Sequence, residues 1–347
     1  ETGGGLSYLL QYPYGCLEQT TSKSFPLLYL YDLAEQMYPG WMNRDQAARF
    51  VNDGITRLLD MQRPDGSFGA WFGCDAYRWG SVYATHFLVE ASKAGYSVPP
   101  DRLEAACNYL ISLASGRTGD GNNGDGNTTY VRSYAAYVLA LAGKPQHGTM
   151  GRIRQLPDFE QDTMSRVNMA AALMAAGLRK DGYELLSGIS IMAPSAAYRE
   201  TGGSLRSNAR DDAIILSALI DADPAGALIP PVVERLNKAK VAGRWYTTQE
   251  NALALMAMGK YCRFLAKQRS PLAGCLSWNG GTSSASFTNR EVFHTFLAGW
   301  NDGPVVITNS GSGPVYYSWE AGGIPIGGSV KEESHGIRVS RELLDTD

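Results

Sequence analysis

Charge is scarce in this chain of 347 residues: Asp, Glu, Lys and Arg make up 19% of it and balance to a net charge of −3. Without a basic excess there is no electrostatic field for nucleic acid or an anionic membrane surface, so neither is expected as a direct partner. Long apolar runs are missing too. None reaches the length of a membrane span, and no secretory signal is visible at the N-terminus. Cysteine is sparse, with five residues at 16, 74, 107, 262 and 275. Their spacing fits neither a disulfide scaffold nor a zinc site, so no metal or other cofactor is expected. Cys262 and Cys275 are near enough in sequence to pair, which sequence leaves open.

What the chain has in quantity is helical periodicity. From Gln19 to about Gln268, apolar residues recur at threes and fours in runs such as "SFPLLYLYDLAEQM", "SVYATHFLVEASKAGY" and "YVRSYAAYVLALAG". Gly95, Gly143, Gly177 and Gly259 close or punctuate these runs. Alanine crowds them, as at Ala135, Ala136, Ala170, Ala171, Ala172, Ala175 and Ala176, which suits closely packed hairpins. About ten to twelve helices in antiparallel hairpins fit an α/α toroid or an irregular bundle, and the choice between them rests partly on the resemblance given below. After Ser270 the texture changes to short β-rich runs such as "GPVVITNSG" and "PVYYSWEAG", split by Gly, Pro and Asn. The expected domains are therefore residues 1–270, helical, and 271–347, a small β-sandwich segment of about five to seven strands.

One stretch asks for chemistry. "YPYGCLEQTTS", Tyr12 to Ser22, places Cys16 three residues before Gln19 at a helix start. Side chains at i and i+3 share a helix face and can meet. A thiol so placed can attack the glutamine amide, expel ammonia and leave an internal thioester, a stored acylating agent. An amine then takes the Gln19 acyl group and Cys16 leaves as thiolate. That departure is eased by a free-thiol pKa of ~8.5, expected to fall further at a helix N-terminus. Water is the hazard, and Tyr12, Pro13 and Tyr14 are placed to shield the bond.

This stretch resembles the thioester signature of the α2-macroglobulin and complement superfamily in its bacterial form. "DGSFGAW", "YATHFLVEA", "RDDAIILSAL" and "WYTTQENALALMAMGKY" look like successive stretches of bacterial thioester domains, and the tail is similar to the CUB-like module. The resemblance extends over nearly the whole chain. It implies an α/α toroid with an incomplete CUB-like segment running into the start of a macroglobulin-like domain. It also implies a single-turnover covalent protease trap rather than an enzyme. In this reading the Cys16–Gln19 thioester acylates a lysine of an attacking endopeptidase, helped by other domains of the same full-length chain. The compartment implied is the periplasm, with the full-length protein an inner-membrane lipoprotein. Tyr12 matches the shielding tyrosine of bacterial relatives, Tyr14 stands second, and Pro13, Gly15 and Glu18 complete the motif. Complement-type relatives use a histidine about a hundred residues after the cysteine. Gly116 to Arg132 contains none, so direct attack by amines is implied.

Plainer readings stand beside these. Cys16 could be an ordinary core thiol, and the two tyrosines packing aromatics. Glu18 is expected to face solvent and meet the helix dipole. His86 reads as structural, and Trp71, Tyr77, Trp79 and Tyr83 as pocket or core lining. "TGDGNNGDGNTTY" lacks the closing glutamate of a calcium loop, and "RDD" at 210–212 reads as an acidic helix start. Gln62 to Trp71 also looks like a terpenoid-cyclase repeat, and a six-hairpin glycosidase would share the toroid. The alternative function is thus an α/α-toroid enzyme, and a scaffold without a thioester is a third.

Overall fold

In the computed structural model, the residues described are 2–12, 14–30, 43–118, 128–191, 198–267, 273–288 and 303–311, with single positions between 295 and 317. The chain divides into two compact units, Glu1–Gly313 and Pro314–Asp347, and all that follows concerns the first.

Local chemistry sets the helix ends. Asn43, Asp162 and Ser207 each precede a helix and accept a hydrogen bond from the backbone N–H three residues on. At the other end, Gly95, Gly143 and Gly177 take positive φ, and the following residue donates back to a carbonyl five residues earlier (Tyr96 to Ala91, Lys144 to Leu139, Leu178 to Leu173). Gly259 does something else. It sits inside a continuing helix, where a Cβ would fall 2.9 Å from the Leu30 side chain. Its place is one of close approach rather than termination.

Among the described residues, the helices with defined bounds are α1 (Thr2–Gln11), α2 (Leu17–Ser24), α3 (Arg44–Asp60), α4 (Arg78–Lys93), α5 (Pro100–Ala114), α6 (Thr128–Leu141), α7 (His147–Ile153), α8 (Thr163–Ala175), α9 (Arg179–Ser187), α10 (Asn208–Ala222), α11 (Ile229–Lys238) and α12 (Thr248–Lys267). Their packing is a ring. α2 touches α4, α4 touches α6, and so on through α8, α10 and α12, which returns to α2. α3, α5, α7, α9, α11 and α1 pack outside these six. This is the expected α/α toroid. Alanine explains the tightest part of the ring, since Ala135, Ala136, Ala170, Ala171 and Ala172 are buried where α6 meets α8.

At the ring's centre lies a cavity of about 50 Å³ lined by α4, α6, α8, α10 and α12 together with Tyr29, its wall including Tyr83, His86, Arg210 and Lys260. At roughly 10–15 Å³ per water, it holds a few waters and not a terpenoid or a sugar. A toroidal cyclase or glycosidase is therefore not favoured.

Past residue 270 the chain forms a sheet in the order β2–β1–β3, with β1 (Ala273–Trp278) antiparallel to both β2 (Ser283–Thr288) and β3 (Val306–Asn309). Gly274 leaves room for the Phe287 ring, which a Cβ would meet at 2.4 Å. Within the described residues, β2 and β3 each have one neighbour. The sheet falls in the first unit together with the helices. Most of the further strands expected after 311, like Pro13 and all of the "GDGNNGDGN" stretch, lie outside the described residues.

Candidate functional site

Cys16 ends an extended approach and caps an inner helix. α1 stops at Gln11, and the Tyr12 ring meets Tyr8 and Tyr14 edge-on at centroid distances of 5.4 and 5.7 Å. The Arg244 guanidinium covers Tyr8 from 4.2 Å. Gly15 passes directly under Arg57, where a Cβ would come within 2.7 Å of the guanidinium. In return its carbonyl accepts from Arg57 Nε at 2.9 Å and from Thr20 Oγ1 at 3.2 Å. The Leu17 N–H, an orphan donor of the first helical turn, reaches the Ala70 carbonyl in the "DGSFGAW" loop at 2.9 Å.

Cys16 is thus held at the N-cap of α2 with φ −66° and ψ 172°. Gln19, at N3, folds its side chain back so that Oε1 accepts from the Cys16 backbone N–H at 3.2 Å. This is a capping box with cysteine in the serine position. It brings the two side chains of the sequence motif together on one turn. The thiol is half-buried.

Two expectations are corrected here. The Cys16 thiol does not titrate low. Burial pushes its pKa up, outweighing the Gln19 backbone N–H that works the other way, and the neighbouring Glu18 adds to the rise. Glu18 does not face solvent either, being only 6% exposed. Its carboxylate accepts from Ser22 Oγ at 2.6 Å and from Thr248 Oγ1 at 2.9 Å, joining α2 to the first turn of α12. Burial raises its pKa, and the two hydroxyls lower it only in part. Ser22 Oγ lies 3.2 Å from Tyr83 OH, so this polar chain continues toward the ring's centre.

Tyr12 is half-buried, whereas Tyr14 is 65% exposed and touches Tyr12 from outside. Trp79 and Tyr83 line the cavity, but Trp71 is 47% exposed and belongs to neither core nor pocket. His86 is buried against Phe25, with Nδ1 2.9 Å from Tyr134 OH, and burial pushes its pKa down to about 3. It is a neutral structural group. His147 is exposed at the start of α7. Asp211 in the first turn of α10 and Asp212 just after it face Arg206 at 3.3 Å and Arg235 at 2.6 Å. Among the described residues, no cluster of His, Cys, Asp and Glu has the make-up of a metal site. Sequence reasoning missed Thr248, Ser22 and Arg57. Thr248 lies within the quoted "WYTTQENALALMAMGKY", but nothing local says that it will meet residue 18.

A six-hairpin toroid whose first inner helix is capped by cysteine, with glutamine one turn on, defines a macroglobulin-type TED domain. Residues 2–125 match the A-macroglobulin TED domain family. The chain is 30% identical to α2-macroglobulin of Escherichia coli K12 over 98% of its own length and 20% of that protein's. It superposes with TM-score 0.70 on native E. coli α2-macroglobulin from domain MG7 to the C-terminus, at 26% identity, covering 83% of this chain and 45% of that one. A Salmonella α2-macroglobulin reacted with methylamine gives TM-score 0.69 at 27% identity, covering 82% and 18%. The chain belongs to the bacterial α2-macroglobulin family. It spans about a fifth of the length of the curated relatives it matches.

Proposed function

We propose that Cys16 and Gln19 form an internal thioester that acylates amines of attacking proteases, making the chain the reactive part of a single-turnover trap. The observation that carries this is the fold-back of Gln19 onto the Cys16 N–H at 3.2 Å. Neighbouring groups on one turn have a high effective concentration, so an S–C bond forms between them far faster than between free molecules. In formation, Cys16 Sγ bonds to the Gln19 side-chain carbonyl carbon, the C–N bond breaks, and ammonia departs carrying the thiol proton. In use, a lysine amine bonds to that carbon, the C–S bond breaks, and the proton released by nitrogen restores the thiol.

The upward pressure on the Cys16 thiol suits storage. A thiolate that is costly to form inside the protein is a poorer leaving group, so the bond resists water while it is covered. Exposure in a rearranged protein would lower that cost. Tyr12 is the cover closest in sequence, and Tyr14 adds to it from outside. Neither described histidine is placed as a catalyst, which supports direct aminolysis. Solved structures of E. coli α2-macroglobulin activated by porcine elastase and by trypsin resemble this chain, which favours endopeptidases as the targets. The compartment that goes with this reading is the periplasm, open to fractionation of a tagged full-length protein.

Intact mass is the test. Freshly folded protein should be one ammonia lighter than its sequence mass, and methylamine should add at residue 19 while one thiol appears. Full sequence mass, with no thiol released even in a longer chain carrying its flanking domains, would sink the proposal.

A further inference from the structure

The ring's centre holds a second polar constellation, built from three inner helices other than α2. Trp79 on α4, Asn168 on α8 and Arg210 on α10 all line the central cavity. Arg210 has 0% exposure. Its Nη1 donates to the Ser204 carbonyl, but its Nε and Nη2 have no hydrogen-bond partner. Asn168 Nδ2 and Trp79 Nε1 are buried in the same condition. All four atoms are donors.

Charge points the same way. The rings of Trp79 and Tyr130 flank the guanidinium at 5.2 and 5.1 Å, which offsets part of its desolvation. Among the described residues, no carboxylate lines the cavity. Asp211, the acid that acts most strongly on Arg210, spends its Oδ2 on Tyr198 and Arg206 and keeps a buried Oδ1 without a hydrogen bond, while Glu18 is held by Ser22 and Thr248. The other cation of the wall, Lys260, has Asp221 at 2.9 Å. Among the described residues, Arg210 is thus a buried charge with donors to spare, and its strongest acidic neighbour, Asp211, makes no ion pair with it.

We propose that the central cavity binds one small monovalent anion, of chloride or bromide size, held by Arg210, Asn168 and Trp79. Water would satisfy some of these donors but would have to donate its own protons in return, and it brings no charge. An anion accepts from all of them and offsets the guanidinium, which a buried charge requires. A space of about 50 Å³ with largely apolar walls admits such an ion. A doubly charged oxyanion would bring more charge than one guanidinium cancels.

Crystals of the protein soaked in sodium bromide would be measured at the bromine edge, and melting followed in sodium bromide, chloride and gluconate at equal ionic strength. Expected are an anomalous peak inside the cavity beside Arg210, and a melting temperature higher in either halide than in gluconate by on the order of 2–4 °C at saturation. Arg210→Met should erase both. Should that variant not fold, Trp79→Phe removes one donor and should shrink the halide-specific rise. A cavity holding only waters, bromide found solely at the surface, or equal stabilisation by gluconate would overturn the proposal.

Discussion

Around the start of α2 the buried polar groups are matched. Gln19 meets the Cys16 N–H, Glu18 meets Ser22 and Thr248, and the Gly15 carbonyl meets Arg57 and Thr20. At the centre of the ring, by contrast, Arg210, Asn168 and Trp79 keep donors with no acceptor. A matched network fixes one geometry, because any displacement strands a buried group. An unmatched one is incomplete until something enters. The rim is therefore where a reactive pair can be held still, and the centre is where a guest can be received.

The largest test of that contrast is Cys16→Ala, which should remove both the ammonia-sized mass loss and methylamine uptake entirely, while His147→Ala leaves them intact. Mass spectrometry with a thiol reagent reads both. Loss of uptake in His147→Ala would assign a catalytic part to a residue exposed on α7. Next comes Leu17→Ala. Leu17 is 1% exposed under the motif, and its truncation should cost about 2–5 kcal/mol of stability by denaturant melting. A cost under about 1 kcal/mol would mean that the rim is less firmly packed than its hydrogen bonds suggest.

Glu18 sharpens the comparison through pH. Its folded pKa is raised above the ordinary 4.5, so the folded state holds the proton more tightly than the unfolded state. Stability from this group is therefore greatest below that ordinary value, and it falls as pH rises through the folded value. Glu18→Gln should flatten the part of the stability profile that declines above that ordinary value, with the hydroxyl partners kept. An unchanged profile would show that Glu18 titrates normally. The smallest effect is expected at the tyrosines. Tyr12→Gly should speed thioester hydrolysis, Tyr14→Gly should do so less because that ring is 65% exposed, and Tyr12→Phe should match the parent. If Phe were as damaging as Gly, the hydroxyl and not the ring would be the active part.

Much of this was legible because it is local. Cys16 and Gln19 are one turn apart, so their meeting follows from helix geometry alone. Gly95, Gly143 and Gly177 end helices because they supply the left-handed backbone that such an ending uses. What escaped depends on distance. Glu18 was expected in solvent because first-turn acids usually are, and only Thr248 arriving from α12 buries it. The expected fall in the Cys16 pKa failed for the same reason, since a helix terminus is visible in sequence and desolvation by distant elements is not. Gly259 looked like punctuation because the Leu30 side chain that crosses it comes from far upstream.

The ring closes only when α12 reaches α2, and Thr248 lies 230 residues after Glu18. At ribosomal speeds of 5–20 residues per second, that separation is roughly 10–50 s of synthesis. For that interval the nascent chain carries Cys16 and Gln19 without the strap that seats Glu18, so the capping turn has no fixed floor. The last inner helix is then a timer. Under the proposed function, the charge would be armed only once the whole casing has been delivered, and a truncated product that stops short of residue 248 would leave the translation machinery as a dud.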